Sequence, residues 1–219
     1  MIRISAFPWV PPFAQGLVRD LRARWALEEA GLPYEVRLLT RADQKSQNYR
    51  ALQPFGQVPV LEDGDLKLFE SGAIVMHIAE RSDALLPSDA DARARAKTWM
   101  FAALNSIEPH IQSLAEIDLF HADKEWTRER RPMVVEMVRK RLGELSAWLK
   151  GRDYLEDRFT AGDLLMTTVL RILRHTDLLA EQPMLVAYRA RCEARPAFAK
   201  ALAAQMEPFA RNTPANTPA

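Results

Sequence analysis

Pro54-Phe55-Gly56-Gln57-Val58-Pro59-Val60-Leu61, followed by Leu68-Phe69-Glu70-Ser71-Gly72-Ala73-Ile74, decides how the early part of this chain folds. Proline lacks an N–H and normally sits at strand edges. Pro59 instead opens an apolar run, beside Val58, whose backbone it leaves open. A cis Val58–Pro59 bond would aim the Val58 N–H and C=O outward, where an extended peptide can pair with them. Glu70-Ser71 then ends one strand and begins a helix.

The residues between these segments predict a hairpin. Val58 to Leu61 and Leu66-Lys67-Leu68-Phe69 are joined through Asp63-Gly64, a strong turn signal. The helix that follows buries Ile74, Val75, Ile78 and Ala79. Towards the N-terminus, Ile2, Ile4 and Ala6 alternate with Arg3 and Ser5, the period of a half-buried strand. Leu17, Leu21 and Trp25 recur every four residues, with Arg19, Arg22, Arg24, Glu28 and Glu29 around them, which reads as an amphipathic helix with a solvated charged face. Gly31 and Pro33 stop it. Tyr34-Glu35-Val36-Arg37-Leu38 is a second strand, parallel to the first, and Asp43 to Leu52 is weakly helical. The order is β-α-β-α-β-β-α.

Beyond Leu86-Pro87-Ser88 the strand patterns cease. Asp89 to Phe120 is expected to be one long helix kinked at Pro109, and Lys124 to Lys150 another. Thr160-Ala161-Gly162-Asp163 reads as a capping box with Asp in place of Glu. Short helices are expected at Met184–Ala194 and Pro196–Met206. The sequence therefore predicts an α/β domain over 1–82, an all-α domain over 89–207 and a disordered tail over 208–219.

Composition narrows the function. The chain has 219 residues, 48% apolar and 27% charged, with a formal net charge of +1, so no global field draws it to nucleic acid or an anionic membrane. The lone cysteine, Cys192, leaves no disulfide, CxxC pair or cysteine-rich zinc site, and fits a reducing, cytoplasmic compartment. His77, His110, His121 and His175 show no metal-ligand spacing. Arg128 to Arg131, broken by Glu129, reads as a solvated face.

At the informative stretch the chemistry is more specific. A helix N-terminus offers free N–H groups and positive partial charge to a carboxylate. Ser71 adds a hydroxyl, and Glu70 an acid for an ammonium. A strand edge, a carboxylate pocket and an amine partner together describe a γ-glutamyl peptide.

These residues resemble the glutathione-binding half of the glutathione S-transferases. Arg24 to Tyr34 is similar to the family's first helix and second strand, and Thr160 to Asp163 to the cap in its helical domain. The resemblance spans roughly residues 1 to 205. It implies a thioredoxin-like N-terminal domain followed by a helical bundle, assembled as a homodimer, with glutathione as co-substrate and no metal. Val58, beside a cis Pro59, would pair with the cysteinyl backbone of glutathione. Glu70 and Ser71 would hold its γ-glutamyl group, and Gln57 would reach the peptide or its glycine end. An electrophile, small and apolar or aromatic, would lie against the long helix near Phe101, Asn105 and Glu108. The activity implied is conjugation of the glutathione thiolate in detoxification, without membrane or nucleic-acid partners.

The loop after the first strand departs from the family pattern, in which a Ser, Tyr or Cys faces the glutathione sulfur. No Ser, Thr, Tyr or Cys occurs from Ala6 to Gly31, and alternative alignments put Val10 or Leu17 at that position. A free thiol has a pKa of about 8.5, and lowering it two units takes about 2.7 kcal/mol of preference for the thiolate. A guanidinium can supply that, and Arg19 is the expected catalytic residue, with Gln15 and Trp9 as pocket walls. Two alternatives remain open. One is a non-catalytic protein that keeps the scaffold for binding or partner contacts. The other is a glutathione-dependent reductase, which normally wants a loop cysteine.

Overall fold

The computed structural model describes residues 1–214 and divides into two compact units, one of Met1–Leu85 with the chain from Arg195 onward, the other of Leu86–Ala194. In the first unit a four-stranded sheet has the order β2-β1-β3-β4. Strand β1 (Ile2–Ala6) leads through a loop to α1 (Asp20–Ala30) and to β2 (Tyr34–Leu38), which pairs parallel to β1. The weakly helical stretch resolves into α2 (Arg41–Lys45) and α3 (Gln47–Leu52), capped by Thr40 and Ser46. Strands β3 (Leu61–Asp63) and β4 (Leu66–Leu68) form the hairpin, and α4 covers Ser71–Ala79.

Three local readings are corrected. Strand β3 starts at Leu61 rather than Val58, because Pro59 has no N–H to give the ladder and the Val60 N–H goes to the Ser5 side chain instead of to a strand carbonyl. Asp63 pairs with Leu66, so the two-residue turn is Gly64-Asp65, with Gly64 at φ 59°, where a glycine carries no Cβ penalty. The charged face of α1 is not solvated: Arg22 and Arg24 are 3% and 2% exposed.

The last correction follows from α10. This helix runs from Pro196 to Arg211 and so includes the start of the stretch expected to be disordered. Residues 215–219 lie outside the described residues. Trp25 of α1 meets Phe198 edge-on at 4.8 Å, and Arg195 grips Glu29 through two bonds of 2.6 and 2.7 Å. Gln205 donates to Asp20 at 2.6 Å, while Arg24 donates to Asp20 at 2.8 Å and to the Ala204 carbonyl at 3.1 Å. A buried ion pair survives only when its remaining hydrogen-bonding capacity is met, and α10 supplies those partners. It therefore belongs with the first unit rather than with the 89–207 helical domain read from the sequence.

The second unit is all helix. The long N-terminal run is α5 (Ala90–Phe101), a π-helical stretch over Ala102–Ile107, and α6 (Glu108–Phe120). Pro109 explains the interruption: it has no N–H for the Asn105 carbonyl and its ring crowds the preceding turn. The chain responds by slipping one residue, and the Glu108 N–H bonds back to Ala103. Helix α7 spans Trp126–Trp148, α8 Ala161–Leu170 and α9 Pro183–Glu193. At α8 the capping box is complete: Gly162 N–H bonds to Thr160 Oγ1 at 3.2 Å and Thr160 N–H to Asp163 at 2.9 Å. Asp163 also accepts from Leu155 N–H and the Tyr188 hydroxyl, each at 2.9 Å.

Candidate functional site

The sheet register gathers the sequence motifs at one end. Ile4 of β1 pairs antiparallel with Leu61, so β3 begins at the carboxyl end of β1. Leu61 also pairs with Leu68 of β4. Val58 precedes that pair by three residues and Ser71 follows it by three. The loop leaving β1, from Phe7 onward, emerges at the same end. Ligands of open α/β sheets collect outside the carboxyl ends of the strands.

Val58 is 8% exposed, and its bond to Pro59 is cis. It packs with Leu39, Tyr49 and Val60, against Phe7 and Val18. Among the described residues none hydrogen-bonds the Val58 N–H or C=O. Buried peptide groups are nearly always paired, so this edge keeps hydrogen-bonding capacity that no described residue takes up. Gln57 is exposed beside it.

Glu70 is exposed and holds φ at 71°, the one non-glycine residue with a positive value among those described. Backbone strain of this kind collects at ligand sites. Ser71 follows at the first turn of α4, 6% exposed. Its hydroxyl accepts a hydrogen bond from the Arg22 guanidinium at 3.2 Å. The sequence gives Arg22 no distinction from its neighbouring arginines, since it reads as part of a solvated face until α4 brings Ser71 to it. Arg19, the expected catalytic residue, stands one turn earlier as the residue capping α1 and is half-buried.

The loop between β1 and α1 contains one short 3-10 turn, Pro12–Ala14, and is tied by Gln15 donating to the Val10 carbonyl at 3.1 Å. Val10 is 9% exposed and Leu17 half-buried. The Trp9 indole Nε1 is buried and has no hydrogen-bond partner among the described residues. In the second unit Phe101 is 56% exposed, whereas Glu108 is buried at 7% exposed. Among the described residues no group of His, Cys, Asp or Glu is clustered to hold a metal, and no helix is long and apolar enough to cross a membrane.

Two family models match the chain, "Glutathione S-transferase, N-terminal domain" over residues 15–80 and "Glutathione S-transferase, C-terminal domain" over residues 116–196. Glutathione S-transferase 4 of Zea mays is 31% identical, covering 96% of this chain and 96% of its own. The chain belongs to the glutathione S-transferase family. A glutathione S-transferase of Hyoscyamus muticus is 32% identical over 83% of this chain and 92% of its own. Among solved structures, a glutathione transferase from Burkholderia graminis, with two glutathione molecules bound per subunit, superposes with a TM-score of 0.80. It is 26% identical and covers 92% of this chain and 87% of its own. The thioredoxin-like domain and the helical domain expected from the sequence are the architecture of this family.

Proposed function

We propose that this glutathione S-transferase binds glutathione along the open backbone of Val58 and at the start of α4, and transfers its thiolate to a small electrophile, apolar or aromatic. The observation that carries the reading is the unpaired Val58 peptide edge at the sheet end where Ser71 begins a helix. In this reading the cysteinyl backbone of glutathione takes both Val58 bonds beside Pro59. The γ-glutamyl carboxylate meets the α4 N-terminus, the Ser71 hydroxyl and the nearby Arg22 guanidinium, while Glu70 takes the ammonium. Gln57 takes the glycine end.

The thiol needs a positive field to ionise at neutral pH, and Arg19 is our candidate for it. Proximity does the rest: fixing the thiolate beside its target converts a bimolecular encounter into an intramolecular step. The same reading has the enzyme act in the cytoplasm as a homodimer with a role in detoxification. The exposed Phe55–Phe69 pair, ring centroids 6.2 Å apart, offers apolar surface to a second copy.

The test is a titration of thiolate absorbance for glutathione added to the protein. Ionisation well below the free value of about 8.5 supports transfer. Binding without a shift would favour a glutathione-binding protein that does not turn over, the reading favoured by Val10 and Leu17 standing where a hydroxyl is usual. Absence of binding would overturn both.

A further inference from the structure

Two buried hydroxyls far apart in the sequence, on Ser5 and Tyr49, meet beneath the Val58 edge. Ser5 lies in β1 and is 5% exposed; Tyr49 lies in α3 and is 1% exposed. The Val60 N–H donates to Ser5 Oγ at 2.8 Å, Ser5 Oγ lies 2.9 Å from Tyr49 Oη, and Tyr49 Oη donates to the Gln57 carbonyl at 2.6 Å. The direction of the middle link follows from its neighbours. A carbonyl only accepts, so the single Tyr49 hydrogen goes to Gln57. The Ser5 hydrogen must then go to Tyr49, leaving the Ser5 oxygen to accept from Val60. Every donor is used once, and each bond polarises the next.

The chain of bonds therefore runs from Val60 through Ser5 and Tyr49 to Gln57, and closes over Val58 and Pro59. It seizes the backbone on both sides of Val58, whose own N–H and C=O no described residue bonds. Ser5 N–H adds a bond to the Val60 carbonyl at 2.9 Å, fixing that flank to the sheet. Burial holds the Tyr49 hydroxyl above its usual pKa, so the last donor stays protonated across the neutral range.

We infer that Ser5 and Tyr49 are positioning residues for glutathione: their hydroxyl relay holds Gln57 and Val60 so that the Val58 peptide edge is preset to receive the cysteinyl backbone. The inference rests on the proposed pairing of Val58 with glutathione. A backbone edge held in place in advance loses little conformational freedom on binding, and that saving appears as affinity.

The experiment is a glutathione titration of the full chain as Tyr49→Phe, Ser5→Ala and the double variant, with steady-state kinetics and thermal unfolding on each. Tyr49→Phe keeps the ring that packs on Val58 and removes only the relay. We expect the dissociation constant and KM for glutathione to rise roughly tenfold in each single variant, with kcat and the KM of the electrophile within about twofold, the pattern of lost ground-state binding. Because the relay acts as one unit, the double variant should lose no more affinity than either single one. A merely structural role would lower the melting temperature and leave the glutathione constants of the folded protein unchanged, which overturns the inference. Additive losses overturn the relay in the same way. If the variants do not fold, hydrogen exchange of the unaltered protein decides. A Val60 amide as protected as the β1–β3 ladder supports the relay, and one exchanging orders of magnitude faster overturns it. Failure of the unaltered protein to bind glutathione sinks the underlying reading instead.

Discussion

Arg22 donates to the Ser71 hydroxyl at 3.2 Å with both side chains buried, joining the first turn of α1 to the first turn of α4 across 49 residues of sequence. The residue capping α4 is Glu70, whose side chain makes no capping bond, while Ser71 is the first helical residue and its oxygen accepts from a cation. The pair places a guanidinium, a hydroxyl and a helix N-terminus together, three features that favour an anion.

Removing this hydroxyl should weaken glutathione binding. A hydrogen bond to a charged group is worth about 1.5–3 kcal/mol, so Ser71→Ala should raise the dissociation constant about tenfold or more. Arg22→Lys retains the charge but not the forked geometry and should fall between the two. Quenching of tryptophan fluorescence by added glutathione reads all three proteins. A constant within twofold of the unaltered value would remove Ser71 from the site.

Arg19 carries the thiolate proposal and has a pH signature. A cation near the sulfur stabilises the charged form, so its loss raises the thiol pKa. Arg19→Ala should shift the acidic limb of the kcat/KM profile upward by about one unit, equivalent to about 1.4 kcal/mol. A profile that keeps its inflection while the rate falls would assign Arg19 to structure.

In the helical unit Asp163 is fully buried and collects bonds from Leu155, Thr160 and Tyr188. An asparagine there would turn an amide towards donors that need an acceptor. Asp163→Asn should therefore cost about 2–4 kcal/mol of stability, and Thr160→Ala about 1 kcal/mol. Urea unfolding with an unchanged slope and a lowered midpoint is the expected result. A midpoint unmoved by Asp163→Asn would show that the cap is dispensable.

Alkaline pH should destabilise the fold. Burial, with Asp163 beside it, pushes the Tyr188 hydroxyl well above 10, and burial also raises Tyr34 and Tyr49. Above the unfolded value of 10.0 the unfolded chain sheds protons that the folded chain retains, so it binds fewer and stability falls as pH rises. Below 10.0 the contribution is fully present. Each such group adds a slope of up to about 1.4 kcal/mol per pH unit. Urea midpoints taken from pH 8 to 11 test this, and Tyr188→Phe should flatten the decline at the cost of a lower plateau.

Local chemistry carried far in this chain. Alternation of Ile2, Ile4 and Ala6, the Gly31 stop, the Asp63-Gly64 neighbourhood and the Thr160–Asp163 box each act within a few residues, and the boundaries they mark stand within a residue or two of the sequence reading, although β3 itself begins three residues late. The open Val58 edge and the Ser71 helix start are likewise local features, which is why the candidate site and the family resemblance were legible. Pro109 announced a break in its helix, but the π turn that absorbs it depends on where the displaced carbonyls find partners.

What only the tertiary structure decided are the relationships between segments distant in sequence. Arg22 and Arg24 look like solvent-facing arginines until α10 and α4 close over α1, because charge patterning on a lone helix carries no record of what packs on it. The Ser5–Tyr49 relay is equally silent in the sequence: a serine in a strand and a tyrosine in a weak helix gain meaning only when the sheet brings Val60 and Gln57 to them. Periodicity and turn chemistry are short-range and are written in neighbouring residues. Burial and hydrogen-bond partnership are long-range, and only the folded chain assigns them.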